Sequence, residues 1–378
     1  MAVPLFDTST PLEPLRQEIV ERLTAVANGG RYILGPEVQA FEREFAEYLG
    51  VGHVVGVANG TDALTIALRA AGVGPGDEVV VPSYTFYASA EAIPPTGATP
   101  VFCDVDEDTG NVTPETVGAV VSARTKAVIA VDLFGNPAPI REIREQTGLP
   151  VVEDAAQAAG AVAHGRRAGS LGMVATFSFF PSKNLGCFGD GGAIATDDDG
   201  IAASARMLRF HGSHDKVTFD EVGYNSRLDE LQAAVLRVLL PHLDRWTAHR
   251  RATAEVYEQA GLGDLVTVPT VAPGVETAWH LYVVRHPNAD RLAAELAHAG
   301  VEARGYYRTP VHRQPAMERW GAGIELPVTD ELARTNLAIP MSPVLPAEQA
   351  REVVDAIRAA LTSPRAASPE GAAASSSG

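Results

Sequence analysis

The chain has 378 residues, of which 46% are hydrophobic and 20% are charged, and its formal net charge at pH 7 is -17. This composition is typical of a soluble globular protein with a large core, and the length favours two domains. The acidic balance argues against a nucleic-acid-binding surface, which needs a basic stripe. A small phosphate-bearing ligand remains compatible with it, because helix ends and single arginines bind phosphate.

The two cysteines, Cys103 and Cys187, can form at most one bridge. The sequence is therefore not a disulfide scaffold, and a reducing cytoplasm is expected. The N-terminus lacks the basic segment and apolar run of a secretory signal peptide. No stretch reaches the roughly 18 apolar residues that predict a membrane span. We therefore predict a cytoplasmic protein without a membrane partner.

The first half of the chain alternates predicted helices with predicted strands. Apolar spacing predicts helices over 13–27, 36–49, 63–71, 88–93, 114–121, 140–147 and 198–210, and short apolar runs predict strands over 53–58, 78–81, 99–105, 127–132 and 150–153. Such alternation predicts a mostly parallel sheet covered by helices on both faces. Ligands bind beyond the carboxyl ends of these strands, where 59–62, 82–86, 132–134 and Asp154 lie.

The second half begins with a polar loop over 211–223 and changes character after a helix predicted over 225–240. That helix is broken at Pro241 and continues to 257. Short strands are predicted over 266–268, 279–284, 300–304 and 306–307, and helices over 290–298, 330–336 and 346–361. We predict a large domain over 1–240, with roughly residues 1–30 as an N-terminal arm, and a small α+β domain over 241–362. The Ala/Ser/Gly/Pro-rich tail, 363–378, is expected to be disordered.

A lysine stands in an irregular turn between two apolar strands, within 176–196. The turn contains Pro181-Ser182-Lys183-Asn184 followed by four glycines, Gly186, Gly189, Gly191 and Gly192. Glycine lets the backbone approach a ligand closely, and lysine is rarely placed where water is scarce unless it is paired or used. The stretch suits an amine held against a bound small molecule. A surface lysine on a glycine-rich hairpin is the alternative.

Four other motifs each have a structural and a functional interpretation. Asn59-Gly60-Thr61-Asp62-Ala63 either caps a helix or binds phosphate. Asp154 either caps the next turn or pairs with the ring nitrogen of pyridoxal 5'-phosphate (PLP), with Lys183 forming the Schiff base. The aromatic residues after Pro82 either stack on a flat ring or pack in the core. The segment 223–232 either starts a long helix or contacts phosphate at its N-terminus.

Taken together, the motifs resemble those of the DegT/DnrJ/EryC1/StrS family of nucleotide-sugar aminotransferases, from about Leu15 to about Leu361. They are Asn59-Gly60-Thr61-Asp62-Ala63-Leu64, Pro82-Ser83-Tyr84-Thr85-Phe86, Glu153-Asp154-Ala155-Ala156-Gln157, Phe177-Ser178-Phe179-Phe180-Pro181-Ser182-Lys183, Gly189-Asp190-Gly191-Gly192 and Gly223-Tyr224-Asn225-Ser226-Arg227-Leu228. The resemblance implies a fold-type-I PLP aminotransferase of the α/β class. Its large domain would hold a mostly parallel sheet between helices, and a smaller α+β domain would follow.

The resemblance implies catalytic and ring-binding roles for four residues. Lys183 would form the Schiff base with PLP and act as the base that moves the proton during transamination. Asp154 would pair with the protonated ring nitrogen. Phe86 would stack on the face of the ring, and Gln157 would lie near the phenolic oxygen.

The resemblance also implies how the phosphate of PLP is held. Gly60, Thr61 and Ser178 would bind it through N–H groups and hydroxyls. Asn225 would reach the phosphate of the neighbouring subunit's cofactor. The expected active unit is therefore a homodimer with shared active sites.

Lysine at position 183 favours transamination, because some members of the family carry histidine there and act as dehydratases. The implied reaction moves an amine from L-glutamate to a nucleotide-linked keto-sugar. A dTDP-linked 3- or 4-keto-6-deoxy sugar is expected, in amino-sugar synthesis for glycosylated natural products or surface polysaccharide. A PLP-dependent sugar dehydratase and a catalytically silent binding protein on the same fold are the alternatives.

The segment Tyr306-Tyr307-Arg308-Thr309-Pro310-Val311-His312 resembles a substrate loop of the family, with Arg308 where proline is usual. Tyr306, Arg308 and His312 are therefore candidate substrate residues. Arg308 is expected either near the sugar or diphosphate or facing solvent.

No metal site is predicted. The four histidines His164, His211, His214 and His312 lack metal-ligand spacing and are expected in loops or at the surface. The aspartates at 104, 106 and 108 superficially resemble a calcium loop, but its glycine and closing glutamate are missing, so a solvated turn is expected. Cys187 is expected to be a buried, inert thiol.

Overall fold

The computed structural model of the protein describes residues 2–362. Its strands are β1 (His53–Val57), β2 (Glu78–Pro82), β3 (Thr99–Cys103), β4 (Thr125–Val131), β5 (Val151–Asp154), β6 (Val162–Ala163), β7 (Arg166–Arg167), β8 (Val174–Ser178), β9 (Gly192–Thr196), β10 (Val275–Glu276), β11 (Tyr282–Arg285) and β12 (Asn336–Ile339). Its α-helices are α1 (Arg16–Gly29), α2 (Pro36–Leu49), α3 (Gly60–Ala70), α4 (Ala88–Glu91), α5 (Pro114–Gly118), α6 (Ile140–Thr147), α7 (Asp199–Leu208), α8 (Glu230–Leu239), α9 (Leu243–Gln259), α10 (Ala289–His298), α11 (Glu318–Gly321), α12 (Pro327–Thr335) and α13 (Ala347–Thr362).

A seven-stranded sheet in the order β1-β9-β8-β5-β4-β2-β3 forms the centre of the protein. The pairs from β8 through β5, β4 and β2 to β3 are parallel, and β9 is antiparallel to both of its neighbours. The central strands are continuous apolar runs, and Val79, Val80 and Val81 have no exposed surface. Such runs are typical of strands covered on both faces. The predicted mostly parallel sheet is confirmed.

Two layers of helices cover the two faces of this sheet. Successive residues of a strand point to opposite faces, and Val54 and Val55 accordingly belong to different apolar clusters. The cluster with Val54 includes side chains from α1, α2 and α8. The cluster with Val55 includes side chains from α3, α6 and α7. The sheet therefore lies between helices, as predicted.

The carboxyl ends of the parallel strands meet along one edge of the sheet. Val131 lies opposite Asp154, and Asp154 lies opposite Thr176. Ser178, at the end of β8, lies opposite Gly192 at the start of β9. This register brings together residues from four strands that are separated in sequence. The fold therefore creates a binding edge of the kind expected for an open α/β sheet.

The C-terminal part of the chain has its own core beneath the antiparallel pair β11-β12. Helices α9, α10 and α13 contribute to this core, and Val3 joins it from the N-terminus by pairing with Val301. Conversely, Val311 and Leu332 from the C-terminal part of the chain pack in the core of the large sheet. Side chains from both sides of residues 240–241 therefore pack together. The division into two domains at this point stays a prediction. The predicted disordered tail, 363–378, lies outside the described residues.

Several predictions of local structure are wrong. The strands predicted over 266–268 and 300–304 are reduced to isolated bridges at Thr267, Val301 and Arg304. The helix predicted from Asn225 begins at Glu230, because Asn225 pairs with Phe210 and Asp229 pairs with Ile33 in extended bridges. The strand predicted over 306–307 does not form, since the Tyr306 N–H donates to the Asn336 side chain. Residues from Asn336 onward form β12 instead of ending a helix.

Within 2–362 no helix is both long and apolar enough to cross a membrane.

Candidate functional site

Lys183 lies in a tight turn between β8 and β9. Its N–H donates to the carbonyl of Phe180 at 2.8 Å, and a Cβ at Gly186 would lie only 2.6 Å from the carbonyl oxygen of Pro181. The glycine therefore permits the close passage of the backbone. Burial lowers the pKa of Lys183 to about 8, while the negative charge of Asp154 acts in the opposite direction. The amine is thus poised to gain or lose a proton near neutral pH.

Asp154 is a buried carboxylate at the end of β5, with 5% of its surface exposed. Its Oδ2 accepts a hydrogen bond from the Ser89 hydroxyl at 2.7 Å, and its Oδ1 accepts one from the Ala156 N–H at 3.2 Å. Burial raises the pKa of Asp154, whereas these two hydrogen bonds and the charge of Lys183 act to lower it. Asp154 takes part in none of the ion pairs found within 2–362. A cationic group can therefore be its partner.

The N-terminus of α3 lies against the end of β8. The side chain of Asn59 caps the helix by accepting from the Asp62 N–H at 2.8 Å. The N–H groups of Gly60 and Thr61, in the first turn, have no partner within the helix. A Cβ at Gly60 would lie 2.8 Å from the Cβ of Ser178, so glycine is what lets the helix end approach this serine. Free N–H groups, a helix dipole and hydroxyls together suit a phosphate.

Aromatic side chains line the edge between β2 and β5. Phe86 is 52% exposed, and its ring centroid lies 5.8 Å from that of Tyr307. Gln157 accepts from the Phe134 N–H at 2.8 Å and donates to the Tyr307 hydroxyl at 3.1 Å. The exposed Phe86 ring offers a surface on which a flat ring can stack. Tyr307, and not Tyr306, is the tyrosine that the structure brings to this place.

These features together fit PLP, which needs a phosphate site, a carboxylate for its ring nitrogen and an amine for its aldehyde. The buried carboxylate without an ion-pair partner is the part of the fit that is hardest to explain otherwise, because an isolated buried charge is costly. The structure brings together seven of the residues predicted from sequence: Gly60, Thr61, Phe86, Asp154, Gln157, Ser178 and Lys183.

Asn225 is exposed and does not join the other predicted residues. Its side-chain oxygen accepts a hydrogen bond from Arg227, and it precedes α8 by five residues instead of standing at the helix N-terminus. The segment 223–232 therefore does contain the start of a helix, as predicted, but Asn225 itself does not lie at that start. Its predicted contact with a second subunit stays a prediction.

Of the three candidate substrate residues, Tyr306 and Arg308 are half-buried and His312 is buried. Arg308 donates to the carbonyls of Ala333 and Arg334 at the end of α12 and pairs with Asp290 at 2.8 Å. The side chain of Arg308 is 31% exposed, and its guanidinium lies at the end of α12, where helix carbonyls attract cations. Its expected place near the sugar or diphosphate stays a prediction. The Tyr306 carbonyl accepts from the Tyr84 hydroxyl at 2.8 Å.

His312 is buried, with 2% of its surface exposed, which corrects the expected loop or surface position. The ring Nδ1 of His312 lies 2.6 Å from the Ser83 hydroxyl oxygen, and the backbone N–H of His312 donates to the same oxygen at 2.9 Å. Burial lowers the pKa of His312. This histidine joins the loop after β2 to the C-terminal part of the chain.

The acidic stretch after β3 has a structural role. Asp104 accepts from the N–H groups of Val328 and Thr329 and so caps α12, while Asp106 accepts from Asp108 and Thr109 within its own turn. Within 2–362 no group of three or more His, Cys, Asp or Glu side chains is arranged to hold a metal ion.

Cys187 is buried, as predicted, and burial raises the pKa of its thiol. Cys103 is also buried and unpaired. Neither thiol is therefore activated for chemistry.

Two residues next to the site were not identified from sequence. The side-chain nitrogen of Asn184 donates to the Ala278 carbonyl at 2.8 Å, and its oxygen lies 3.1 Å from Nδ1 of His280. His280 is buried, and burial together with the charges of Lys183 and Arg250 lowers its pKa well below the usual range. The position of Asn184 beside Lys183 was the only sequence feature that pointed to them.

Comparisons with known proteins agree with this geometry. The model of the DegT/DnrJ/EryC1/StrS aminotransferase family matches residues 13–358. The dTDP-3-amino-3,4,6-trideoxy-alpha-D-glucose transaminase of Streptomyces venezuelae is 46% identical over 363 residues, which cover 94% of this chain and 95% of that protein. The dTDP-3-amino-3,6-dideoxy-alpha-D-galactopyranose transaminase of Aneurinibacillus thermoaerophilus is 40% identical over 358 residues, covering 94% and 98%.

Solved structures are similar over nearly the whole chain. The crystal structure of S. venezuelae DesV in complex with a ketimine intermediate has a TM-score of 0.92 at 45% identity and covers 96% of this chain and 99% of that one. The structure of NtdA from Bacillus subtilis with bound cofactor PMP has a TM-score of 0.84 at 27% identity, covering 93% and 83%.

Proposed function

Because the chain belongs to the DegT/DnrJ/EryC1/StrS aminotransferase family, we propose that it transfers the amino group of L-glutamate to C3 of a dTDP-linked 3-keto-6-deoxy sugar. The protein is a PLP-dependent sugar aminotransferase. The sequence motifs do not distinguish amination at C3 from amination at C4. The names of the two transaminases above support C3, because each names a dTDP-sugar with its amino group at position 3. The dTDP carrier is supported by the same names.

The residues of the sheet edge would hold PLP in the following way. The N–H groups of Gly60 and Thr61 and the hydroxyl of Ser178 would bind its phosphate, and Phe86 would cover one face of its ring. Gln157, already bonded to Tyr307, would lie on the side of the phenolic oxygen. When bound, PLP supplies an electron sink that stabilises the negative charge left when a proton leaves the carbon beside the amine.

The observation that carries the proposal is that Lys183 and Asp154 lie at the same sheet edge, close enough for the charge of each to act on the pKa of the other. The Lys183 amine, with a pKa of about 8, can accept a proton from a substrate carbon and return it to another atom near neutral pH. Asp154 would keep a fixed negative charge at the ring nitrogen, since Ser89 and Ala156 donate hydrogen bonds to its carboxylate. Lys183 thus moves the proton and Asp154 maintains the charge.

We further propose a homodimer in which Asn225 contacts the phosphate of the partner subunit's cofactor. Asn225 is exposed, and it lies outside the cluster formed by the other predicted residues. A cytoplasmic location is supported by the two cysteines, which are both buried and unpaired.

A reverse-direction substrate panel tests the proposed function. Nucleotide-linked amino sugars aminated at C3 or at C4 are mixed with 2-oxoglutarate, and glutamate formation is measured. We expect glutamate from the C3 sugars on dTDP, and none with the Lys183→Ala variant. Glutamate from C4 sugars alone would refute the choice of carbon, and no glutamate from any sugar would refute the transaminase function.

A further inference from the structure

A cavity of about 210 Å³ opens beside Lys183. The turn of Lys183 and Asn184 forms one wall, Phe6 and Asp7 of the N-terminal segment form another, and Arg250 of α9 forms a third. The volume is below the roughly 300–1,000 Å³ of pockets that hold drug-sized ligands. The cavity therefore suits a small substrate and not a complete nucleotide sugar.

Arg250 is a buried cation without an anionic partner in the described chain. Only 6% of its surface is exposed, and its Nη1 donates to the carbonyls of Trp279 at 3.1 Å and Met341 at 3.3 Å. No ion pair within 2–362 includes Arg250, and both side-chain hydrogen bonds found for it there use Nη1. The next residue, Arg251, pairs with Glu276 at 2.6 Å. Buried arginines are rarely left unpaired, so Arg250 requires an explanation.

The charges around the cavity favour an anion. Burial lowers the pKa of Arg250 only to about 10, so it stays positive at neutral pH. His280 lies close enough to both Arg250 and Lys183 for their charges to lower its pKa, and it is therefore neutral. Asp7 also lines the cavity, but the Oδ1 of its carboxylate accepts hydrogen bonds from the N–H groups of Ser9 and Thr10, and no ion pair within 2–362 joins Asp7 to Arg250. One guanidinium thus remains free to bind a negatively charged group.

We propose that Arg250 binds the α-carboxylate of the amino-acid donor, an inference that rests on the proposed transaminase function. A guanidinium presents parallel N–H groups that match the two oxygens of a carboxylate. In an amino acid the carboxylate is attached to the carbon that bears the amine, so it must come close to Lys183 during transfer. In a nucleotide sugar the diphosphate is separated from the reacting carbon by the sugar ring. The small cavity shared by Arg250 and Lys183 therefore fits the donor better than the acceptor.

Half-reactions measured separately test the assignment. In the donor half, 2-oxoglutarate formed from glutamate is measured in a single turnover, and in the acceptor half, keto-sugar formed from the amino sugar is measured with the same enzyme. Arg250→Met is expected to raise the glutamate concentration for half-maximal rate by about tenfold to a hundredfold. Its amino-sugar dependence should stay within about threefold. Arg250→Lys should fall between Arg250→Met and the wild type, since it keeps the charge but not the planar fork.

The matched control is Arg251→Met, which removes a guanidinium from the same helix. Arg251 also donates to backbone carbonyls, those of Thr277 and Gly160, but does not line the cavity. It should leave both half-reactions unchanged. Equal losses in both halves, or an unchanged glutamate dependence in folded Arg250 variants, would overturn the assignment.

A binding measurement separates this inference from the proposed function. Glutarate has no amino group and cannot react, so its binding to the PLP-loaded enzyme is followed by the fluorescence of Trp246, which also lines the cavity. We expect Arg250→Met and Arg250→Lys to weaken glutarate binding and Arg251→Met to leave it unchanged. If the wild type binds glutarate through Arg250 but forms no 2-oxoglutarate, the proposed function fails and the carboxylate site stands. If glutarate binding is the same in folded Arg250→Lys and wild type, the carboxylate site is wrong.

Discussion

Replacing Ser89 with alanine is expected to move the acid limb of the activity profile toward higher pH. The Ser89 hydroxyl donates to Asp154 Oδ2 at 2.7 Å, the short distance typical of a hydroxyl bound to an ionised carboxylate. A hydrogen bond to a charged group contributes about 1.5–3 kcal/mol, and one pKa unit corresponds to about 1.4 kcal/mol. Without the bond, the pKa of Asp154 should therefore rise further.

The direction follows from which form of Asp154 is active. The carboxylate must be ionised to hold the ring nitrogen, and burial already opposes ionisation. A higher pKa therefore removes activity at the acid end first. We expect kcat/KM of Ser89→Ala to fall about tenfold to a hundredfold on the acid limb and to approach the wild-type value on the alkaline side.

The assay is a pH profile of kcat/KM for glutamate with PLP content verified at each pH. Thr85→Val is the control, since Thr85 is bonded to Ser89 at 3.0 Å and not to Asp154. It should shift the profile less. A Ser89→Ala enzyme that retains PLP and keeps the wild-type acid limb would refute the argument that this hydroxyl maintains the charge of Asp154.

Four further outcomes are expected. Lys183→Ala should lower 2-oxoglutarate formation from glutamate by at least about a thousandfold while far-UV circular dichroism stays unchanged. Burial and the charge of Glu153 raise the pKa of Asp132 well above its usual range. The folded protein therefore holds this proton more tightly than the unfolded chain, so Asp132 destabilises the fold increasingly as pH rises. Asp132→Asn should accordingly raise Tm at pH 8, and this gain should disappear toward pH 4. Glu153→Gln should instead lower Tm by roughly 3–8 °C, because the Glu153 carboxylate accepts from three backbone N–H groups. Arg308→Ala should lower Tm more than Asp290→Ala and leave kcat within about threefold, because Arg308 also holds two carbonyls of α12.

The parts of the site that sequence predicted are those whose position depends on local pattern. A parallel strand ends where its apolar run ends, so Asp154, Ser178 and the 59–62 segment could be placed at the sheet edge before any contact was known. Lys183 was identified because glycines and an unusual lysine occur together in one short turn. The chemistry of the edge was therefore predictable from short stretches.

The parts that sequence did not predict depend on partners far away in the chain. His280 meets Asn184 across 96 residues, and His312 meets Ser83 across 229 residues. The residues next to each histidine in the sequence do not indicate which distant residue it contacts. The contact of Arg308 with the end of α12 was not predicted for a related reason, since its partner lies 25 residues later in the chain. Asn225 was predicted to begin a helix because polar residues often open a helix with an apolar body. The same residues also occur in extended segments that lead into a helix, as here.

A single physical cause, burial at the sheet edge, acts on Lys183 and Asp154 in opposite directions. It favours the neutral form of each, and so lowers the pKa of the amine to about 8 and raises that of the carboxyl. The hydrogen bonds from Ser89 and Ala156 counter the effect on Asp154, and the carboxylate that results limits how far the amine's pKa falls. Ser89 lies on α4, Asp154 at the end of β5 and Lys183 after β8. Three separate segments therefore set the proton affinity of one amine, and a change at any of them should alter the pH at which Lys183 moves its proton.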